Sequence, residues 1–100
     1  MAYRPLEKLI NLHDGYRKLV SVQGHQMLLC QEEGTLRLFG RHCPHQGQVL
    51  DEATIVQDVL TCPRHQTQFS LGDGKPLQSL CGSLLTHNLV YEGNSVGVDE

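Results

Sequence analysis

Along this chain, apolar and polar side chains fall into short extended runs separated by turn residues, with no long stretch of 3.6-residue period. From Lys18 the runs are KLVSV, QMLLCQ and TLRLF, divided by Gln23-Gly24-His25 and by Glu33-Gly34 and ended by Gly40. They predict a three-stranded meander. Ahead of them, residues 6–12 follow Pro5 and are stopped by Gly15, which leaves room for one or two helical turns and predicts a capping turn.

Residues 40–50 are rich in Gly, His, Gln and Pro and read as a surface loop, whereas VLTC (59–62) reads as a strand followed at once by a second loop, PRHQT. Then come the strand QFSL, the turn Gly72-Asp73-Gly74 and a loose stretch over 76–82. A final pair, LLTHNLVY and SVGV, is joined through Glu92-Gly93-Asn94. The expectation is an all-β chain of antiparallel hairpins, a small sandwich or barrel, with no internal repeat and no linker. At 100 residues it is expected to be one domain spanning 1–100.

Composition changes this picture in two ways. Aromatic residues are 5% and Trp is absent, so a chain of this size has few large side chains with which to fill a core. Against that scarcity stand four cysteines (Cys30, Cys43, Cys62, Cys81) and six histidines (His13, His25, His42, His45, His65, His87), and a metal staple is the natural substitute. The formal charge of −3 gives no electrostatic footprint for nucleic acid or an anionic membrane. Neither a secretory leader nor a long apolar span is visible, so a soluble, cytoplasmic protein is expected, with thiols kept reduced for metal or catalysis.

The two histidine-bearing loops have matching form. Cys43-Pro44-His45 and Cys62-Pro63-Arg64-His65 are separated by the sixteen residues 46–61, and each offers one thiolate and one imidazole beside a proline that stiffens the turn. This Cys-x-His, Cys-x-x-His pattern resembles the Rieske family of 2Fe-2S proteins, as do the CPH-x-G and CP-x-H starts and the later QFSLGDGKP. The resemblance implies a Rieske-like antiparallel β-sandwich with two cluster-binding loops at one end. It also implies one 2Fe-2S cluster per chain, with Cys43 and Cys62 on the inner iron and His45 and His65 on the outer. Neutral imidazoles in place of two thiolates make the cluster less negative, which is why histidine ligation raises its potential.

Two other readings use the same residues. A Cys2His2 zinc site normally separates paired ligands by two to four residues, whereas Cys43-x-His45 leaves one. A Cys43–Cys62 disulfide is disfavoured in a reducing compartment. Cys30 and Cys81 read as small buried hydrophobes, and His13, His25, His42 and His87 as ordinary histidines. In bc-type Rieske proteins an extra disulfide joins the loops; the corresponding places here are Gln48 and Arg64, so that bridge is missing.

No nucleophile–base constellation and no nucleotide loop is present, and only His87 follows His65, too few for the mononuclear iron of a Rieske oxygenase. The expectation is a one-electron carrier and not an enzyme. The resemblance implies that it passes electrons from a flavin-dependent reductase to a terminal oxygenase, as ferredoxin components of aromatic-ring dioxygenase systems do. Its alternatives are the small subunit of an assimilatory nitrite reductase, partnered by the large subunit, and a zinc-stabilised interaction module. Arg41, His42 and Arg64 predict a locally basic cluster end, offset in part by Asp51 and Glu52. Where high-potential members carry serine and tyrosine hydroxyls, Thr67 and Phe69 stand here, which predicts a low potential for the family.

Overall fold

The computed structural model describes residues 2–44, 49–63, 66–77 and 82–100. Its order is β1 (Tyr3–Lys8), a 3-10 turn (Leu9–Asn11), β2 (Arg17–Val22), β3 (His25–Glu32), β4 (Thr35–Gly40), β5 (Thr54–Val56), β6 (Val59–Thr61), β7 (Gln68–Ser70), β8 (Thr86–His87), β9 (Val90–Glu92) and β10 (Ser95–Asp99). Pairing is antiparallel throughout, in sheets β1-β10-β9, β2-β3-β4-β8 and β5-β6-β7. No described helix is long and apolar enough to cross a membrane.

The meander forms as the sequence predicts because its turn residues accept the left-handed region. Gln23-Gly24 and Glu33-Gly34 both sit at positive φ, the geometry of two-residue hairpin turns whose twist matches the flanking strands. Gln57-Asp58 does the same between β5 and β6.

The run Met27-Leu28-Leu29-Cys30 is buried at every position, so β3 has both faces covered. Met27 and Leu29 join Leu38, Leu6, Val22 and Val98 in one core; Leu28 and Cys30 join Phe39, Leu60 and Phe69 in another. The β2-β3-β4-β8 sheet is therefore a central layer, with the terminal strands against one face and the β5-β6-β7 hairpins against the other.

Three features differ from the sequence reading. Residues 6–8 are strand, and only Leu9–Asn11 is helical. The strand arises because β1 pairs with β10 from the far end of the chain, a contact no local pattern reveals. Pro5 is tolerated there because β1 is an edge strand. LLTHNLVY is two short strands in two sheets, since β8 pairs with β4 while β9 pairs with β10. The short β5 was not predicted.

Gly74 is fixed by a close approach. It sits at φ +79°, donates to Ser70 O at 2.7 Å and accepts from Leu84 N at 2.7 Å, and a Cβ there would stand 2.2 Å from Leu84 O. Gly74→Ala should cost about 1–3 kcal/mol from the strained backbone alone, with a further loss from the overlap. A lower urea midpoint at unchanged slope is the expected result; an unchanged midpoint contradicts this reading of the turn.

A second tie joins β1 to β2. The Glu7 carboxylate accepts hydrogen bonds from Asn11 Nδ2 (3.0 Å), the Tyr16 hydroxyl and Lys8 N (2.8 Å), with Lys18 Nζ at 3.8 Å. The Asn11, Tyr16 and Lys8 bonds, in that order, hold Glu7 down at about 2 against an ordinary 4.5. A carboxyl depressed by folding contributes stability above its unfolded pKa, and that contribution is lost as pH falls from about 4.5 toward 2. Glu7→Gln should flatten the fall in stability across that window in an acid-unfolding series. An unaltered pH dependence would contradict it.

Candidate metal centre

Each of the two loops is closed at its base by backbone hydrogen bonds. β4 ends at Gly40, where the amide is held by Leu85 O at 2.7 Å, and Arg41 N then donates to Gln26 O at 3.0 Å. The first loop closes by Leu50 N to Arg41 O at 2.7 Å, with His42 bridging Val49. The second opens directly from β6: Cys62 N donates to Thr67 O at 2.8 Å and Gln66 N to Cys62 O at 3.0 Å, with Gln66 at positive φ. Pro44 and Pro63 are both exposed, as expected for the rigid outer shoulder of a turn.

Cys43 and Cys62 come together in the interior. Cys43 is 1% and Cys62 0% exposed, and both belong to the core that contains Leu50, Ala53, Leu60, Phe69, Leu71 and Leu84. They are thiols and not a disulfide, so the bridged reading is not borne out. Among the described residues no three metal-binding side chains converge. Of the four ligand positions, Cys43 and Cys62 are described, whereas His45 and His65 lie outside the described residues, as do Gln48, Arg64 and Cys81.

The donor set fits an iron–sulfur group. A bare thiolate is costly in an apolar core, and metal coordination is what keeps a buried thiol deprotonated. Two such thiols at the openings of adjacent loops, each with a histidine two or three residues further on, match that requirement. Cys30 shows the contrast: burial pushes its thiol up to about 12, so it stays protonated in mid-strand as a packing residue. His42 is exposed beside the first loop.

The sequence did not reveal how this region is fastened to the central sheet. Arg41 Nε and Nη2 reach the two Asp51 carboxylate oxygens at 3.0 and 3.2 Å, and Arg17 Nη1 donates to Asp51 O at 2.8 Å. Arg37 grips Asp58 in the same two-pronged way, 2.9 and 2.5 Å, at the β5–β6 turn. The expected offset of the basic cluster end by Asp51 is thereby located at Arg41, whose charge is paired with Asp51 across the loop base. A carboxylate ten residues after an arginine with a loop between them is the signal that was available for this pair.

An all-β fold whose two loops bring two thiols into one core has the arrangement that an iron–sulfur carrier needs. Residues 4–83 match the Rieske [2Fe-2S] domain, and the chain belongs to that family. It is 33% identical over 87 residues to the ferredoxin component of the alkene monooxygenase system of Xanthobacter autotrophicus (strain ATCC BAA-1158 / Py2), covering 86% of this chain and 71% of that protein. In fold it is similar to the ferredoxin of carbazole 1,9a-dioxygenase from Nocardioides aromaticivorans IC177, with a TM-score of 0.82 at 19% identity over 98% of this chain and 97% of that one. It is also similar to a structure of the complex of reduced oxygenase and oxidized ferredoxin in carbazole 1,9a-dioxygenase, with a TM-score of 0.78 at 21% identity over 93% of this chain and 97% of that one. As a Rieske ferredoxin, the domain holds one 2Fe-2S cluster and carries single electrons; it is a carrier and not a catalyst.

Proposed function

We propose that Cys43 and Cys62 hold the inner iron and His45 and His65 the outer iron of this cluster, within a single Rieske domain over 1–100. In this reading the chain takes electrons from a flavin-dependent reductase and delivers them to a terminal oxygenase in the cytoplasm. The observation that carries it is the burial of Cys43 and Cys62, from two separate loops, in one apolar core. When bound, the cluster supplies a reversible one-electron site. The protein's own residues do the rest: Leu50, Leu60, Phe69 and Leu84 exclude water from the thiolates, and the backbone bonds at 41/50 and 62/67 hold the loops. Positions 45 and 65 fall in sequence between those closed bases, which suits histidines that meet a partner.

The partner assignment draws on the relative that serves an alkene monooxygenase system and on the carbazole dioxygenase ferredoxin described in complex with its oxygenase. The test is transfer from a pre-reduced flavin reductase through this protein to an oxygenase, against transfer to a nitrite reductase large subunit. Oxygenase turnover that depends on this protein supports the reading; turnover only with the nitrite enzyme overturns it.

The same assay carries a prediction about salt. With Arg41 already paired to Asp51, the first loop offers no unpaired arginine among the described residues, and its exposed neighbours Pro44 and Val49 are apolar. Arg64 of the second loop is then the arginine left to steer docking, and in Arg64→Gln the transfer rate should fall less steeply than in the unmutated protein as salt shortens the screening length below about 10 Å. An unchanged salt slope in that variant would show that Arg64 does not steer docking.

A further inference from the structure

Among the described residues, an ion pair crosses the base of the first loop and none crosses the base of the second. Around Cys62, the loop is closed by backbone bonds between Cys62 and residues 66 and 67 and by one long side-chain contact, Gln68 Nε2 to Thr61 Oγ1 at 3.4 Å. Around Cys43, the backbone bond from Leu50 N to Arg41 O is doubled by a side-chain pair that crosses the same gap, the two-pronged Arg41–Asp51 contact. That pair is anchored twice to the central sheet, by Arg17 Nη1 on the Asp51 carbonyl and by the Arg41 amide on Gln26 O in β3. Arg41 stands two residues before Cys43, and Asp51 directly follows Leu50, which shares the buried core with both thiols.

We infer that Arg41 and Asp51 are positioning residues for the cluster: their two-pronged pair, held on β2 by Arg17, fixes the loop that carries Cys43 so that its thiolate meets Cys62 at a set separation. This inference rests on the proposed ligand role of Cys43. The guanidinium fork suits the task because two parallel hydrogen bonds to a carboxylate fix direction as well as distance, which a single ammonium contact does not. Surface ion pairs contribute little to global stability, so the value of this one lies in loop geometry. Groups that orient metal ligands typically change metal affinity by 10–100-fold when removed.

The Arg37–Asp58 pair supplies the control. It is likewise two-pronged and partly exposed and also ties the hairpin unit to β4, but at the β5–β6 turn, away from both loops. The experiment measures cluster loss to an iron chelator by the fading of visible absorption, and the EPR line shape of the reduced protein. The variants are Arg41→Gln, Asp51→Asn, the double Arg41→Gln/Asp51→Asn, Arg41→Lys and Arg37→Gln. Removing either partner, or both, should speed cluster loss about tenfold and broaden the EPR signal. Arg41→Lys should fail to restore the native rate, and Arg37→Gln should leave both readouts unchanged. A double variant that regains the native rate would reduce the pair to charge balance and overturn the inference. So would equal effects in Arg37→Gln, or no effect in Arg41→Gln. Cys43→Ala serves as the separate check: if it keeps the native cluster, the ligand assignment itself fails, whereas cluster loss in Cys43→Ala beside native-like Arg41 variants defeats only the positioning role.

Discussion

Cys62→Ala should yield colourless protein that has lost both its cluster and most of its stability. Cys62 is fully buried at the opening of the second loop, in the core shared with Cys43, Leu60 and Phe69. A bound metal group is part of the folding free energy of a small domain, and this core is poor in aromatic side chains. Loss of the group together with a buried side chain should cost more than about 4 kcal/mol relative to the loaded protein. Cys43→Ala should behave alike. Cys30→Ala is the internal contrast, because that thiol is buried in the same core but lies in mid-strand and is held protonated. It should lose some stability while keeping the native visible spectrum. Thermal melts and absorption spectra of the three variants decide the matter, and a coloured, native-like Cys62→Ala would refute the ligand role.

The second large effect concerns the redox potential. Hydrogen bonds donated to the cluster raise its potential by stabilising the more negative reduced state. Phe69 is completely buried with the two thiols and opposes Leu60 in the β6–β7 ladder, so the aromatic ring at this position offers no hydroxyl. Thr67, half-buried, accepts the Cys62 amide through its carbonyl and retains a side-chain donor. At most one donor of the two found in high-potential members therefore remains. The midpoint potential should lie toward the low end of the Rieske range of roughly −150 to +300 mV. Phe69→Tyr should raise it and Thr67→Val should lower it in a spectroelectrochemical titration. A new hydroxyl in a dry core costs about 1–3 kcal/mol unless it finds an acceptor, so Phe69→Tyr should also keep its stability only if the potential rises. A wild-type potential near the top of the range, or two mutants that do not move it, would contradict this account.

The fold was legible where structure is local. The β2–β4 meander and the β6–β7 hairpin follow from short apolar runs and from turn residues that tolerate positive φ, whereas the cover on both faces of the MLLC run shows only in the packing. What could not be read was non-local. β1 is a strand because it pairs with β10, and β8 and β9 part company because each finds a different sheet. That Cys43 and Cys62 belong together was legible from the matching form of their loops, and the structure places both in one core. The offset of the cluster-end charge by Asp51 was legible in sign but not in geometry, since whether Arg41 faces solvent or closes on Asp51 depends on a loop returning to its own base.

Pulsed EPR of the dithionite-reduced protein tests the central claim most directly, because it reads the ligands from the metal outward. The account predicts a reduced 2Fe-2S signal with nitrogen couplings from two imidazoles, one of which disappears in His45→Cys and the other in His65→Cys. A signal without nitrogen coupling, or a protein that carries zinc and gives no signal, would contradict it.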